Sequence, residues 1–134
     1  LDGRMKYGIG SWFQENVMDP IKGTADKLIP NNTSSGYHYF AFSSLTIATN
    51  NVYSVFLKKA EYEYALISFE VNGISGSVDK ALINLNNGVI EQSDTETKVT
   101  DYGNGWYRCF IKATSSRTSV AIYPLPSASL SSFT

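Results

Sequence analysis

From residue 37 onward the chain is a succession of short apolar-rich runs separated by Asn, Gly, Ser and Pro. Such runs predict strands, because successive side chains of a strand point to opposite faces. Tyr37 to Phe42 is aromatic and extended. Leu45 and Ile47 alternate with Thr46 and Ala48, and Asn50-Asn51 turns the chain. Tyr53, Val55 and Leu57 alternate with Ser54, Phe56 and Lys58. Tyr64 to Val71 is a further strand, ended by Asn72-Gly73. Ala81 to Leu85 and Val89 to Gln92 flank Asn87-Gly88, a dipeptide that tolerates the positive φ of tight hairpins. Val99 to Tyr102 is short, and Trp106 to Lys112 follows Asn104-Gly105. Ser119 to Tyr123 is the last strand, with Pro124 and Pro126 expected to stop it.

The first 30 residues read as irregular. Asp19-Pro20 and Lys22-Gly23-Thr24 mark turns, ADKLI at 25–29 is a short strand that Pro30 ends, and NNTSSG at 31–36 is a polar loop. KKAEYEY at 58–64 offers one helical alternative, crowded by strands on both sides. Eight or nine short strands without sustained helical periodicity predict an all-β chain, an antiparallel β-sandwich or barrel. Its 134 residues suit one domain spanning 1–134, with irregular ends at 1–10 and 124–134. The serine-rich tail at 125–134 has no pattern of its own, and a neighbouring chain would hold it.

Composition narrows the function classes. A net charge of -1 gives no basic field for nucleic acid, and no apolar run reaches the ~20 residues of a membrane-spanning helix. Aromatic residues at 13 % against charged residues at 17 % suit a polar, largely uncharged partner. With one cysteine and one histidine, a disulfide within the chain, a cysteine zinc site and a multi-histidine metal site are excluded. A glycosidase needs two carboxylates about 5–10 Å apart across a cleft. The 12 acidic residues scatter through turns and edges with no pair standing out, so no catalytic residue is assigned and no enzyme is expected. No cofactor or metal site is assigned either; Asp19, Asp79 and Asp101 are calcium candidates by position only, without EF-hand spacing. Asn31-Asn32-Thr33-Ser34 contains overlapping glycosylation sequons, to which no role is assigned.

Six fragments in fixed order carry a resemblance. They are SWFQEN at 11–16, DPIKGTADKL at 19–28, GYHYFAFSSLTI at 36–47, YSVFLKK at 53–59, INLNNGVIEQ at 83–92 and DYGNGWYRCFIK at 101–112. Together they resemble the jelly-roll, carbohydrate-binding-module-like domains of bacteriophage tail-fibre, tail-spike and head-fibre proteins, over about residues 10–123. GNGWYRC following LNNGV is the most specific part. The resemblance implies a fragment of a longer virion protein on the outer face of the particle, with a structural role, a host-glycan-binding role or both. Its partners would be other virion chains, most simply in a homotrimer, and host surface polysaccharide. The family's Trp-Gly-Ala-Gln-like last strand has no counterpart before Thr134, so either the sequence is a truncated piece or a partner strand would complete that edge. The alternative is a secreted carbohydrate-binding module appended to a polysaccharide-degrading enzyme.

Alternation splits Trp106–Lys112 into two sets. Tyr107, Cys109 and Ile111 suit the core, with Cys109 an inert small hydrophobe. Trp106, Arg108, Phe110 and Lys112 fall on the other face. There Trp106 and Arg108 either stack and hydrogen-bond on a sugar, or form a second packed layer with Arg108 laid across Trp106 as a cation–π cover. Lys58 and Phe56 share a parity and neighbour Arg108 across the sheet, as a cationic patch for acidic polysaccharide or as a solvated strand end. Tyr37, Tyr39, Tyr62 and Tyr64 lie beside loops, where tyrosine combines area, rigidity and a hydroxyl. The candidate ligand contacts are therefore Tyr37, Tyr39, Lys58, Tyr62, Tyr64, Trp106 and Arg108.

Overall fold

A computed structural model describes residues 5–8, 11–17, 25–30, 38–70 and 79–128, with side chains from Tyr39 onward. Eleven strands account for its regular structure: β1 Met5–Gly8, β2 Ser11–Val17, β3 Ala25–Pro30, β4 His38–Phe42, β5 Val52–Lys58, β6 Tyr64–Phe69, β7 Lys80–Asn84, β8 Val89–Ser93, β9 Thr97–Gly103, β10 Trp106–Lys112 and β11 Val120–Leu125. They form a six-stranded sheet in the order β1-β4-β11-β6-β7-β8, a three-stranded sheet β5-β10-β9 and a hairpin β2-β3. Every pairing is antiparallel.

The two larger sheets close on one apolar layer. Ala65, Ile67 and Phe69 of β6, Ala81 and Ile83 of β7 and Val120 of β11 face Tyr107, Cys109 and Ile111 of β10, with Tyr53, Val55, Leu57 and Val99 packed around them. The fold is thus an all-β sandwich, and the inward set of β10 is the one its alternation predicts. Burial pushes the Cys109 thiol up to about 12, which keeps it protonated and unreactive at neutral pH. Burial also raises the Tyr53 hydroxyl, with the neighbouring Cys109 adding to it.

β6 and β7 lack alternation because they are buried on both faces. Leu66, Leu82, Ala41, Ala121, Tyr123 and Leu125 form a second apolar cluster. The register places Ser68 opposite both Lys80 and Ala121 on that side, and Lys80 is fully buried there. Burial lowers the Lys80 ammonium, and Asp94 works against that shift. Strands covered on both sides read as continuous apolar runs.

Several expectations are corrected. β1 and β2 occupy a stretch that reads as irregular, whereas β3 ends at Pro30 as expected. Leu45–Ala48 is no strand. Its backbone bonds serve the neighbouring 113–118 segment instead, with Leu45 N–H donating to the Thr118 carbonyl and a single bridge at Ile47–Arg117. The 58–64 segment carries no helix, in keeping with the strands that crowd it on both sides. β11 runs through Pro124, because pairing to β4 ends at Ile122 and leaves an edge where a missing N–H costs nothing. The turn at Asp19-Pro20, the 31–36 loop, Asn72-Gly73 and residues 129–134 lie outside the described residues.

Two carboxylates clamp one end of the sandwich. Glu70 and Asp79 both have positive φ, at 72° and 59°. The Glu70 carboxylate accepts from Thr118 N–H at 2.8 Å and from the Thr118 and Ser119 hydroxyls. Asp79 accepts from Thr114 N–H and Oγ1–H at 2.7 Å each and from Arg117, whose Nη2 lies 2.9 Å away. Its oxygens are thus engaged by hydrogen donors, which corrects its standing as a calcium candidate. Burial alone would raise the Asp79 carboxyl, but the bonds from Thr114 and Arg117 outweigh it and hold it below its ordinary range. A folded value below the unfolded one stabilises fully above the unfolded carboxyl range and is lost as pH falls through the folded value.

Replacing Asp79 with Asn should cost on the order of 3 kcal/mol near neutral pH by leaving Arg117 unpaired. In thermal melts, the gap between wild type and variant should narrow as pH falls below 4; a constant gap down to pH 2 would contradict the clamp. At Gly88, φ is +75° and a Cβ would lie 2.5 Å from the Tyr107 ring, whereas at Gly103, φ is +82° and the space is open. Gly88→Ala should therefore cost about 2–3 kcal/mol in urea unfolding and Gly103→Ala only about 1.

Candidate functional site

The three-stranded sheet presents its other face outward. Two hairpin features set that face. Asn104-Gly105 closes a two-residue loop between β9 and β10, with φ of 55° and 83°, which matches the right-handed twist of the strands it joins. Just before it the register slips, so Trp106 pairs with Gly103 and Tyr107 with Asp101. Tyr102 is the extra residue of that bulge, and a bulge re-aims the side chain it carries.

Tyr102 meets Phe56 edge to face, with ring centroids 4.9 Å apart and planes at 87°. Phe56 comes from β5 and Tyr102 from β9, so the ring pair spans β10, which lies between them. Tyr102 remains 44 % exposed. Trp106, by contrast, is 8 % exposed, and the Lys58 ammonium lies 5.9 Å from its ring centroid. The cation over Trp106 is thus Lys58, its register partner on β5, and not Arg108. Arg108 is exposed and donates from Nε to the Ser54 hydroxyl at 2.9 Å. Lys98 is exposed beside Phe110, and Lys112 pairs with Glu96 at 3.4 Å.

The candidate residues divide between separate places. Lys58, Trp106 and Arg108 share the outer face of the small sheet. Tyr39 is half-buried and lies 5.2 Å, centroid to centroid, from Tyr123 on the second face of the six-stranded sheet, where Tyr64 also packs. Tyr62 is half-buried in the loop between β5 and β6. Tyr37 and the His38 side chain lie outside the described residues. Sequence reading missed Tyr102 and Lys98. Alternation from the inward Val99 places both outward, so the signal was present in the period of β9.

Other chemistry is sparse. Among the described residues no three His, Cys, Asp or Glu side chains gather as a metal site. Asp101 accepts from Gly103 N–H at 2.7 Å and so braces the hairpin. An open hollow of about 390 Å³ lies at the end of β5 opposite Lys58, between Leu45, Ile47, Tyr53, Phe69 and Val120. It is apolar, with Asn51 the one amide side chain among its lining residues, so it lacks the convergent polar groups that recognise a sugar. Comparison with protein-family models, curated proteins and solved structures found no match.

The contrast between the two aromatic residues is testable by urea unfolding. Trp106→Ala should cost about 3–5 kcal/mol, as for any large buried ring. Tyr102→Ala should cost no more than about 1.5 kcal/mol, the worth of one aromatic pair. Equal losses at both positions would mean that Tyr102 belongs to the packed wall.

Proposed function

We propose that this chain is a non-catalytic, jelly-roll-type domain of a phage fibre or other virion protein, exposed on the particle, which contacts host-surface glycan through the outer face of β5-β10-β9. One observation carries the reading: a ring pair of exposed Tyr102 and half-buried Phe56 set among the exposed cations Lys58, Arg108 and Lys98. Aromatic faces take sugar C–H surfaces, and guanidinium or ammonium groups hydrogen-bond hydroxyls and carboxylates. Trp106 supports this platform from within rather than touching the ligand. The ordered fragments that resemble the phage domains add to the reading. A carbohydrate-binding module of a polysaccharide-degrading enzyme would use the same face.

A structural role is the second reading, favoured by β5. It is an edge strand of seven residues, paired to β10 without a bulge and carrying Val52 at 57 % exposure. Regular apolar edges accept another strand. Other virion chains, or two further copies in a trimer, would then complete the sheet.

A glycan array probed with wild type and Tyr102→Ala, beside light scattering for mass, separates the two readings. Saturable binding to one glycan class, weakened about tenfold or less by Tyr102→Ala with the fold intact, is the expected result. A stable trimer that binds no glycan would instead assign the chain to fibre architecture.

A further inference from the structure

The charges on this face are arranged in order along the strand. Read along the outward residues of β10, Lys58 stands at the level of Trp106, Arg108 occupies the next level, Lys98 stands beside Phe110, and Lys112 ends the row. Outward levels of a strand recur roughly every 7 Å. Each of four successive levels therefore carries one cation, supplied in turn by β5, β10, β9 and β10. These are four of the chain's 11 basic residues, in a protein whose net charge is -1. The other outward residues of the three strands are Val52, Ser54, Phe56, Thr100, Tyr102, Trp106 and Phe110, with no carboxylate among them. The carboxylates nearest the row stand at its ends: Asp101, on the other parity of β9, accepts from Gly103 N–H, and Glu96, just before β9, is paired to Lys112.

Like charges in a row repel each other, and a row on a folded surface that they destabilise slightly is well suited to a ligand of recurring opposite charge. The Phe56–Tyr102 pair lies in the same row and adds an apolar stacking surface. The anion must therefore be extended, must carry acid groups at intervals, and must present apolar ring faces between them. Nucleic acid shares part of this chemistry. However, phosphate-chain binding depends on neutralising many closely spaced charges, and the face offers three cations without a carboxylate partner among the described residues.

Resting on the glycan-contact reading above, we infer that the ligand is an acidic polysaccharide, of the uronic-acid or comparably charged class, lying lengthwise along β10. Arg108 and Lys98 take the acid groups at the centre of the row. Lys58 serves both the ligand and the Trp106 ring. Lys112 contributes least, because Glu96 already neutralises it.

Calorimetry of the whole chain with polygalacturonate and with its methyl-esterified form tests this. The acid form should bind about tenfold more tightly at low salt, and its affinity should fall as NaCl rises. Arg108→Gln with Lys98→Gln should remove that preference at unchanged melting temperature. Glu96→Gln, which frees Lys112, should strengthen binding several-fold. Equal affinity for acid and ester would overturn the acidic assignment while leaving glycan contact standing. Binding of neither, together with a blank glycan array, would overturn both. Equal or tighter binding of oligo(dT) or polyglutamate would show a general polyanion surface and overturn the glycan assignment.

Discussion

The structure depends on one shared layer of side chains between sheets of unequal width. Tyr107, Cys109 and Ile111 from the centre of the small sheet close against Ala65, Ile67, Phe69, Ala81 and Ile83 of the large one. The large sheet must bury its other face too, and Leu66, Leu82, Tyr123 and the enclosed Lys80 do so. Among the described residues, the outer face of the small sheet buries Trp106 and leaves Lys58, Lys98, Tyr102 and Arg108 exposed.

Within that face, packing and exposure are divided between neighbours. Trp106 is on the outward parity and yet buried, held beneath the Lys58 arm. A rigid indole below fixes the strand on which Arg108 stands, and the Ser54 hydroxyl orients the guanidinium. Several of the described carboxylates act elsewhere. Glu70 and Asp79 hold the end of the sandwich, Asp101 braces the β9–β10 hairpin, and Glu91 accepts from the Asn84 side chain in the other sheet. A chain of nearly balanced charge can in this way present a locally cationic surface.

Much of the fold was legible because its small sheet obeys simple alternation. β10 has the predicted bounds and the predicted inward set, and Asn104-Gly105 forms the expected tight turn. Asn87-Gly88 also turns the chain, though within a four-residue loop from Leu85 to Gly88, with Gly88 N–H bonding back to the Asn84 carbonyl. What escaped reading has physical causes. β6 and β7 are buried twice over, so their pattern carries no period. Leu45 and Ile47 alternate but spend their backbone bonds on a loop. The Phe56–Tyr102 pair joins residues 46 positions apart through a register that only the folded sheet supplies. Position beside a loop does not give the face a tyrosine takes, and two of the loop-side tyrosines, Tyr39 and Tyr64, pack on the second face of the six-stranded sheet.

The central claim is that the outer face of β5-β10-β9 is the recognition surface. Chemical-shift mapping of the labelled chain during titration with oligogalacturonate tests it most directly. The account predicts that perturbations concentrate on Lys58, Lys98, Tyr102, Arg108 and their strand neighbours, and leave Tyr39 and Tyr64 unmoved. Perturbations confined to the six-stranded sheet, or to the hollow at the far end of β5, would contradict it.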